Sequence, residues 1–322
     1  QYRLIYDGIE QPLVFLLAGN GAIDTDEGTI SIDISNTVNT VSLQIIIKNR
    51  NDIAGFTGFD NFKLASVFDG LLYTDSGWST NAPSNTTRSD NAYVLDGTYS
   101  IGNNIQVNNL YVAEAATTIV SFGQSIMANT GIVNSGVIEL NSASTSYSSL
   151  ISNNIRGDVV CNRHVNQLAD TDSTTGKNDL IAAPVTNTNQ PFLEFRTANT
   201  DVPSGTIGGL PSFLFGSFDK DTNDYINYTT ADDTSLIEAG VRYRTASTAA
   251  TGSTFRFVGN VETTTKLVPI AVGTATDFNL IGNPYPSYIK LSDFLSDNNS
   301  EFSAANSGVY GYDGSATDGF TI

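Results

Sequence analysis

Six residues, Asp219-Lys220-Asp221-Thr222-Asn223-Asp224, carry the clearest chemical spacing in the chain. Asp219, Asp221, Asn223 and Asp224 put oxygen ligands at one, three, five-type intervals, the pattern that wraps a hard cation such as Ca²⁺. The glycine and the distal glutamate of a complete calcium loop are missing. Asp24, Asp26 and Glu27, and again Asp170 and Asp172, repeat the theme in shorter form. Nucleophilic catalysis has less to work with. His164 is the one histidine available as a base, and it follows Cys161 by three positions. On a strand that spacing sends the two side chains to opposite faces. The chain has no G-x-S-x-G elbow, phosphate-binding Walker loop, paired CxxC or HExxH, and its many carboxylates single out no glycosidase pair. The reading is therefore non-enzymatic, with no catalytic residues. Trp78, the only tryptophan, is either the buried anchor of a boundary loop or a sugar-stacking platform, with Tyr73, Tyr93 and Tyr99 as further stacking candidates.

The elements that must hold these residues are β-strands. Charged residues are 15% of the chain, and its polarity comes mainly from Ser, Thr, Asn and Gly. Helical periodicity is almost absent; "TISIDIS" (29 to 35) and "VSLQIIIKN" (41 to 49) alternate instead. The 33 acids against 15 Lys plus Arg leave a net charge of −18, which repels nucleic acid and anionic lipid. A single cysteine excludes an internal disulfide. The longest apolar run, Pro12 to Ala18, is well short of the roughly 20 residues that span a bilayer, so no membrane insertion is expected. It lacks the charged prelude of a signal peptide, so either an export signal has been removed or the chain began further upstream; the last strand-like segment stops at Ile322, so the native chain is expected to continue beyond it.

Three β-rich domains follow from the changes in pattern. Residues 1–67 read as a β-sandwich-like module or the tail of one, with Phe59, Phe62 and Leu64 alternating in its final strand. Residues 68–157 read as a turn-rich connector followed by a short β-solenoid. Its apolar doublets, such as those in "NTGIVNSGVIELNS", are separated by Asn and Gly corners, the latter placed where positive φ is tolerated. Residues 158–322 read as a second β-sandwich-like module, with strands expected at 191–196, 211–219, 241–245, 253–261, 266–272 and 277–286, and one helical turn near Ser292.

Within the last module, "NLIGNPYPSYIKL" places Gly282, Asn283, Pro284 and Pro286 in a fixed corner. Each proline presets its own φ and biases the residue before it toward extended geometry, and Gly282 supplies a conformation closed to other residues. The corner is structural, or else a ligand site built on Tyr285 and Tyr288. Together with "NLYVAEAATTIVSFGQSIMANTGIVNSGVIELNS", "NDLIAAPV", "EAGVRYRT" and "FRFVGNV", this motif resembles the large cell-surface and secreted proteins of Bacteroidota exported by the type IX secretion system, over roughly residues 69 to 322. The resemblance implies β-rich stalks and adhesin modules followed by a C-terminal sorting domain, which does not occur before Ile322. It also makes Asp172-Ser173-Thr174 and Asp233-Thr234-Ser235 similar to the short O-glycosylation sites of that group.

The function expected from these readings is that of an extracellular, non-enzymatic structural or adhesive surface protein: a stalk, or a building block of a cell-surface assembly or filament. Its partners are other copies of itself, neighbouring surface proteins and glycans, and Ca²⁺ is its one candidate cofactor. The alternative is a carbohydrate-binding module of a secreted polysaccharide-processing protein, centred on Trp78 and Tyr93.

Overall fold

Asp7 and Gly8 both sit at positive φ (47° and 83°), the geometry of a tight two-residue hairpin, and they reverse the chain between strands Tyr2–Tyr6 and Ile9–Glu10. The computed structural model describes residues 2–12, 41–45, 69–168, 178–186, 190–302, 308, 311–312 and 320–321. The chain divides into two units, 1–67 and 68–322. In the first, strand Val41–Ile45 pairs antiparallel with the free side of Tyr2–Tyr6, giving a three-stranded sheet clasped by an Arg3–Glu10 ion pair. The strands expected at 29 to 35 and around Phe59 to Leu64 lie outside the described residues.

The second unit is built on a β-solenoid of about four turns, and the protein as a whole is all-β. Each turn contributes one strand to each of two parallel sheets: Ala92–Val94 then Gly97–Ile101, Ile105–Val112 then Ala116–Val120, and Ser125–Asn134 then Val137–Leu140. The fourth turn splits its first strand into Ser149–Ser152 and Ile155–Arg156 before Val159–Val165. Strand Leu71–Thr74 precedes these turns and extends the first sheet. The register repeats at roughly 20 residues per turn, so equivalent side chains stand directly above one another about 4.8 Å apart. Leu71, Ala92, Leu110, Ile132 and Ile155 form one inward column, and Ile101, Val120, Leu140 and Cys161 form another. All of these side chains are buried except Leu71 and Ile155 at the ends of the first column, which are partly buried.

Corners keep the hydrogen-bond ladder running where the strands stop. Leu95, Ala113 and Ser135 each donate their N–H to a carbonyl of the turn before, those of Tyr73, Val94 and Val112. Two glycines serve these corners, and both give clearance: a Cβ on Gly157 would lie 1.9 Å from the Asn134 carbonyl oxygen. Gly157 has a φ of 91°, in the region that side chains avoid, whereas Gly136 does not have a positive φ. What Gly136 provides is clearance, because a Cβ there would lie 2.2 Å from the Ala113 carbonyl oxygen of the preceding turn.

The expected boundary after residue 157 does not interrupt the core. Val159–Val165 is still a solenoid strand, and its outer edge pairs over its whole length with the antiparallel strand Ser253–Gly259. Phe255 and Phe257 on that closing strand carry the interior into an aromatic core with Phe195, Phe215 and Tyr243. Over this core lies a five-stranded antiparallel sheet made of Asp179–Ala182, Ser204–Ile207, Leu210–Asp219, Asp224–Thr229 and Arg242–Thr245. Residues 311–312 pair antiparallel with 320–321 near the C-terminal end.

Two expectations for this region need correction. The strand expected at 191–196 is an α-helix, Phe192–Ala198. Its apolar residues fit either period, and the i, i+3 pair Phe192 and Phe195 is completely buried against Phe215, which decides for the helix. The segments 266–272 and 277–286 run extended without ladder partners. Asn279 substitutes for a partner strand: its side chain accepts from the Ala271 N–H (3.3 Å) and donates to the Ala271 carbonyl (3.0 Å). The helical turn expected near Ser292 is present as Leu291–Asp297.

Leu110→Ala should lower unfolding free energy by about 3 kcal/mol in urea titration, and the outward-facing Val137→Ala by no more than about 0.5 kcal/mol. The helix is held by Arg196, whose guanidinium grips both Asp233 carboxylate oxygens at 2.7 and 2.8 Å. Those hydrogen bonds hold the Asp233 carboxyl below its ordinary value of 3.8. A depressed carboxyl contributes stability in full above the ordinary value and loses it as pH falls through the lowered one. Asp233→Asn should therefore cost up to about 1 kcal/mol at pH 7, a difference that closes in strongly acid solution when both proteins are melted across pH 2 to 7.

Candidate functional site

The acidic loop is the tip of the hairpin between Leu210–Asp219 and Asp224–Thr229, with Asn223 at a φ of 57°. Its three carboxylates accept hydrogen bonds. Asp219 accepts from the Asp221 N–H (2.9 Å) and the Thr222 hydroxyl (2.9 Å), which holds its carboxyl below the usual range. Asp221 accepts from the Thr274 N–H (2.9 Å), and Asp224 from the N–H of Tyr225 (2.7 Å). These bonds form an Asx turn that ties the hairpin to residues 274–276. Among the described residues no three His, Cys, Asp or Glu side chains converge as metal ligands. The acids at 24 to 27 and 170 to 172, and Ser173 and Thr174, lie outside the described residues. Asp233 to Ser235 dock on the helix, with the Asp233 carboxylate bound by Arg196.

Trp78 and Tyr93 do not form one platform. Trp78 pairs across a hairpin with Tyr73, and its ring packs edge-on to Tyr73 (5.3 Å) and Tyr99 (4.9 Å), closing the first turn of the solenoid. Burial there pushes the Tyr99 phenol up to about 12. Tyr93 points to the opposite face of the same sheet from its buried neighbour Val94, and it stacks flat on Tyr111 at 4.8 Å with a 7° interplanar angle. Stacked this way, each ring spends one of its two faces on the other. Cys161 and His164 are likewise separated. The thiol lies inside the solenoid, where burial pushes it up to about 12, too high for a thiolate at neutral pH. The imidazole lies against Gly252.

The proline corner is where elements do converge. Asn283 staples it, its carboxamide accepting from the Tyr285 N–H (3.0 Å) and donating to the Ser287 carbonyl (2.6 Å). Gly282 does not have the positive φ that would close the position to other residues; what it gives the corner is close approach to the sheet, since a Cβ there would lie 2.6 Å from Ala182 Cβ and 2.8 Å from the Gly240 carbonyl oxygen. The corner then caps the last turn of the solenoid. The Pro286 carbonyl accepts from the Leu150 N–H (2.8 Å), and the Tyr288 hydroxyl accepts from the Tyr147 N–H (3.0 Å). Tyr285 instead anchors residues 264–266, through the Thr264 carbonyl and the Lys266 N–H.

Compared with known proteins, the chain matches no family model, no curated protein and no solved structure.

Between the corner and the last turn lies a groove of about 290 Å³. Tyr147 reaches it from a short hairpin, Ser142–Ala143 with Ser146–Tyr147, that interrupts the path from the third turn to the fourth. Arg163 comes from the last solenoid strand and Arg242 from the start of a strand in the antiparallel sheet. The Arg163 guanidinium sits over the Tyr147 ring, 5.0 Å from its centroid. Burial lowers the pKa of Arg242, and among the described residues neither arginine has a carboxylate within ion-pair distance. The carboxylate of Asp179, close enough to influence Tyr147, is occupied by the backbone and side-chain N–H groups of Asn166. Sequence reading reached Tyr288 but missed both arginines. "NRHV" and "VRYR" are 79 residues apart, going by Arg163 and Arg242, and only the closure of the last turn brings them together.

Gly282→Ala should cost about 1 to 3 kcal/mol by overpacking the corner against Ala182 and Gly240. Gly205→Ala, where a Cβ would meet nothing within 4 Å, should change stability by less than about 1 kcal/mol in the same denaturant titration.

Proposed function

We propose that this protein is an exported structural and adhesive module of a cell surface, acting as a rigid spacer within a larger β-rich assembly. The observation that carries the reading is the solenoid itself. Each turn is held to the next by continuous backbone ladders and by stacked buried columns, and such an element resists deformation along its length without a ligand or a moving part. Its far end is occupied by Ser253–Gly259 and by the proline corner, so contact between copies would use other strand edges, such as Gly97–Ile101 or Ser204–Ile207. The acidic surface and the likeness of residues 69 to 322 to type IX secretion substrates support delivery outside the cell.

Antibody raised to the purified protein should label intact cells of the producing organism, and external protease should remove the signal. Confinement of the protein to the cell interior would overturn the reading. Sedimentation velocity over a hundredfold range of concentration tests the assembly component, which requires a species larger than the monomer at the upper end.

A further inference from the structure

We propose that the groove beside the proline corner binds an acidic sugar residue, a pyranose bearing a carboxylate, with Arg163 and Arg242 on the carboxylate and Tyr147 and Tyr288 on the ring. This goes beyond the structural role above and stands or falls independently of it.

The guanidinium groups are the first support. In a chain of net charge −18, two arginines line one groove, and no carboxylate of the described residues satisfies either. A planar two-pronged donor matches a carboxylate better than a point charge does, and partial removal from water strengthens the attraction. Burial of Arg242, visible in its lowered pKa, shows the partial dehydration at one of them.

A second support is a hydroxyl without a partner. Ser148 is 4% exposed and lines the groove, and its Oγ has no hydrogen-bond partner. A buried hydroxyl left unsatisfied is costly, and a ligand hydroxyl is the natural group to satisfy it. The third support is aromatic. Tyr288 is 66% exposed and meets Tyr147 edge to face at 6.2 Å, beside the apolar side chains of Leu280 and Ile281. Cations, a buried hydroxyl and an exposed ring beside apolar walls suit a molecule that is charged at one end, hydroxylated and apolar on its faces. A peptide carboxylate would use the arginines alone, and a neutral sugar would leave them unpaired. The volume accommodates about one to two sugar rings, judged against roughly 30 Å³ for each displaced water.

The test is calorimetric titration of the full chain with trigalacturonate, its fully methyl-esterified neutral counterpart, and triglutamate at matched ionic strength. Trigalacturonate should bind, with the other two at least tenfold weaker. Arg242→Gln and Tyr288→Ala should each weaken trigalacturonate at least fivefold while keeping the wild-type circular dichroism spectrum. Arg242→Lys, which keeps the charge but loses the fork and leaves the packing nearly unchanged, should fall between wild type and Arg242→Gln. Absence of trigalacturonate binding, equal binding of the ester, triglutamate binding as tight as trigalacturonate, or indifference to Arg242→Lys and Tyr288→Ala would each overturn the proposal.

Discussion

In-register stacking of successive turns is the constraint on which this protein depends. A parallel ladder places each residue directly over its counterpart one turn away, so the inward columns are mostly apolar and every corner must fit the one beneath it. Leu110 meets Ala92 below and Ile132 above, while Val120 meets Ile101 and Leu140. The same rule applies to polar groups. Asn134 donates to the Asp158 carbonyl of the following turn, and Asn162 donates to Glu139 and Asn141 of the preceding one.

Such a stack has no natural stopping point, so its ends need separate solutions. At the first turn the answer is aromatic, with Tyr73, Trp78 and Tyr99 packed against one another and the Tyr73 hydroxyl donating to the Thr98 carbonyl. At the last turn the answer is backbone. Ser253–Gly259 runs antiparallel against one sheet and breaks the parallel pattern, and the proline corner supplies a carbonyl to the edge of the other. Two prolines suit that position because it calls for a carbonyl acceptor and a fixed path but no N–H from either ring.

Much of this was legible from residue order. Alternation and apolar doublets with Asn and Gly between them give the all-β class and the solenoid, because those features are local. The helix Phe192–Ala198 was not legible, since Leu193 and Phe195 alternate as in a strand while Phe192 and Phe195 are spaced as in a helix, and only their neighbours decide between the two. Residues 266–286 look like strands by composition, but Leu267, Val272 and Phe278 are exposed and an asparagine side chain stands in for a ladder. At the candidate site, sequence marked the corner and its tyrosines. The arginines were beyond it, because the pairing of Val159–Val165 with Ser253–Gly259 and the docking of residue 286 on residue 150 are long-range contacts that no local pattern encodes.

The pieces that finish the solenoid lie far downstream in the chain. Its fourth turn ends at Val165, but one sheet waits for Gly259 to be covered and the other for Pro286. A chain delivered amino end first would hold three complete turns and an open fourth for as long as it takes roughly 100 further residues to emerge. The order of synthesis therefore imposes an interval in which the growing solenoid ends in bare strand edges, and the corner at 282–286 is the last piece to close it.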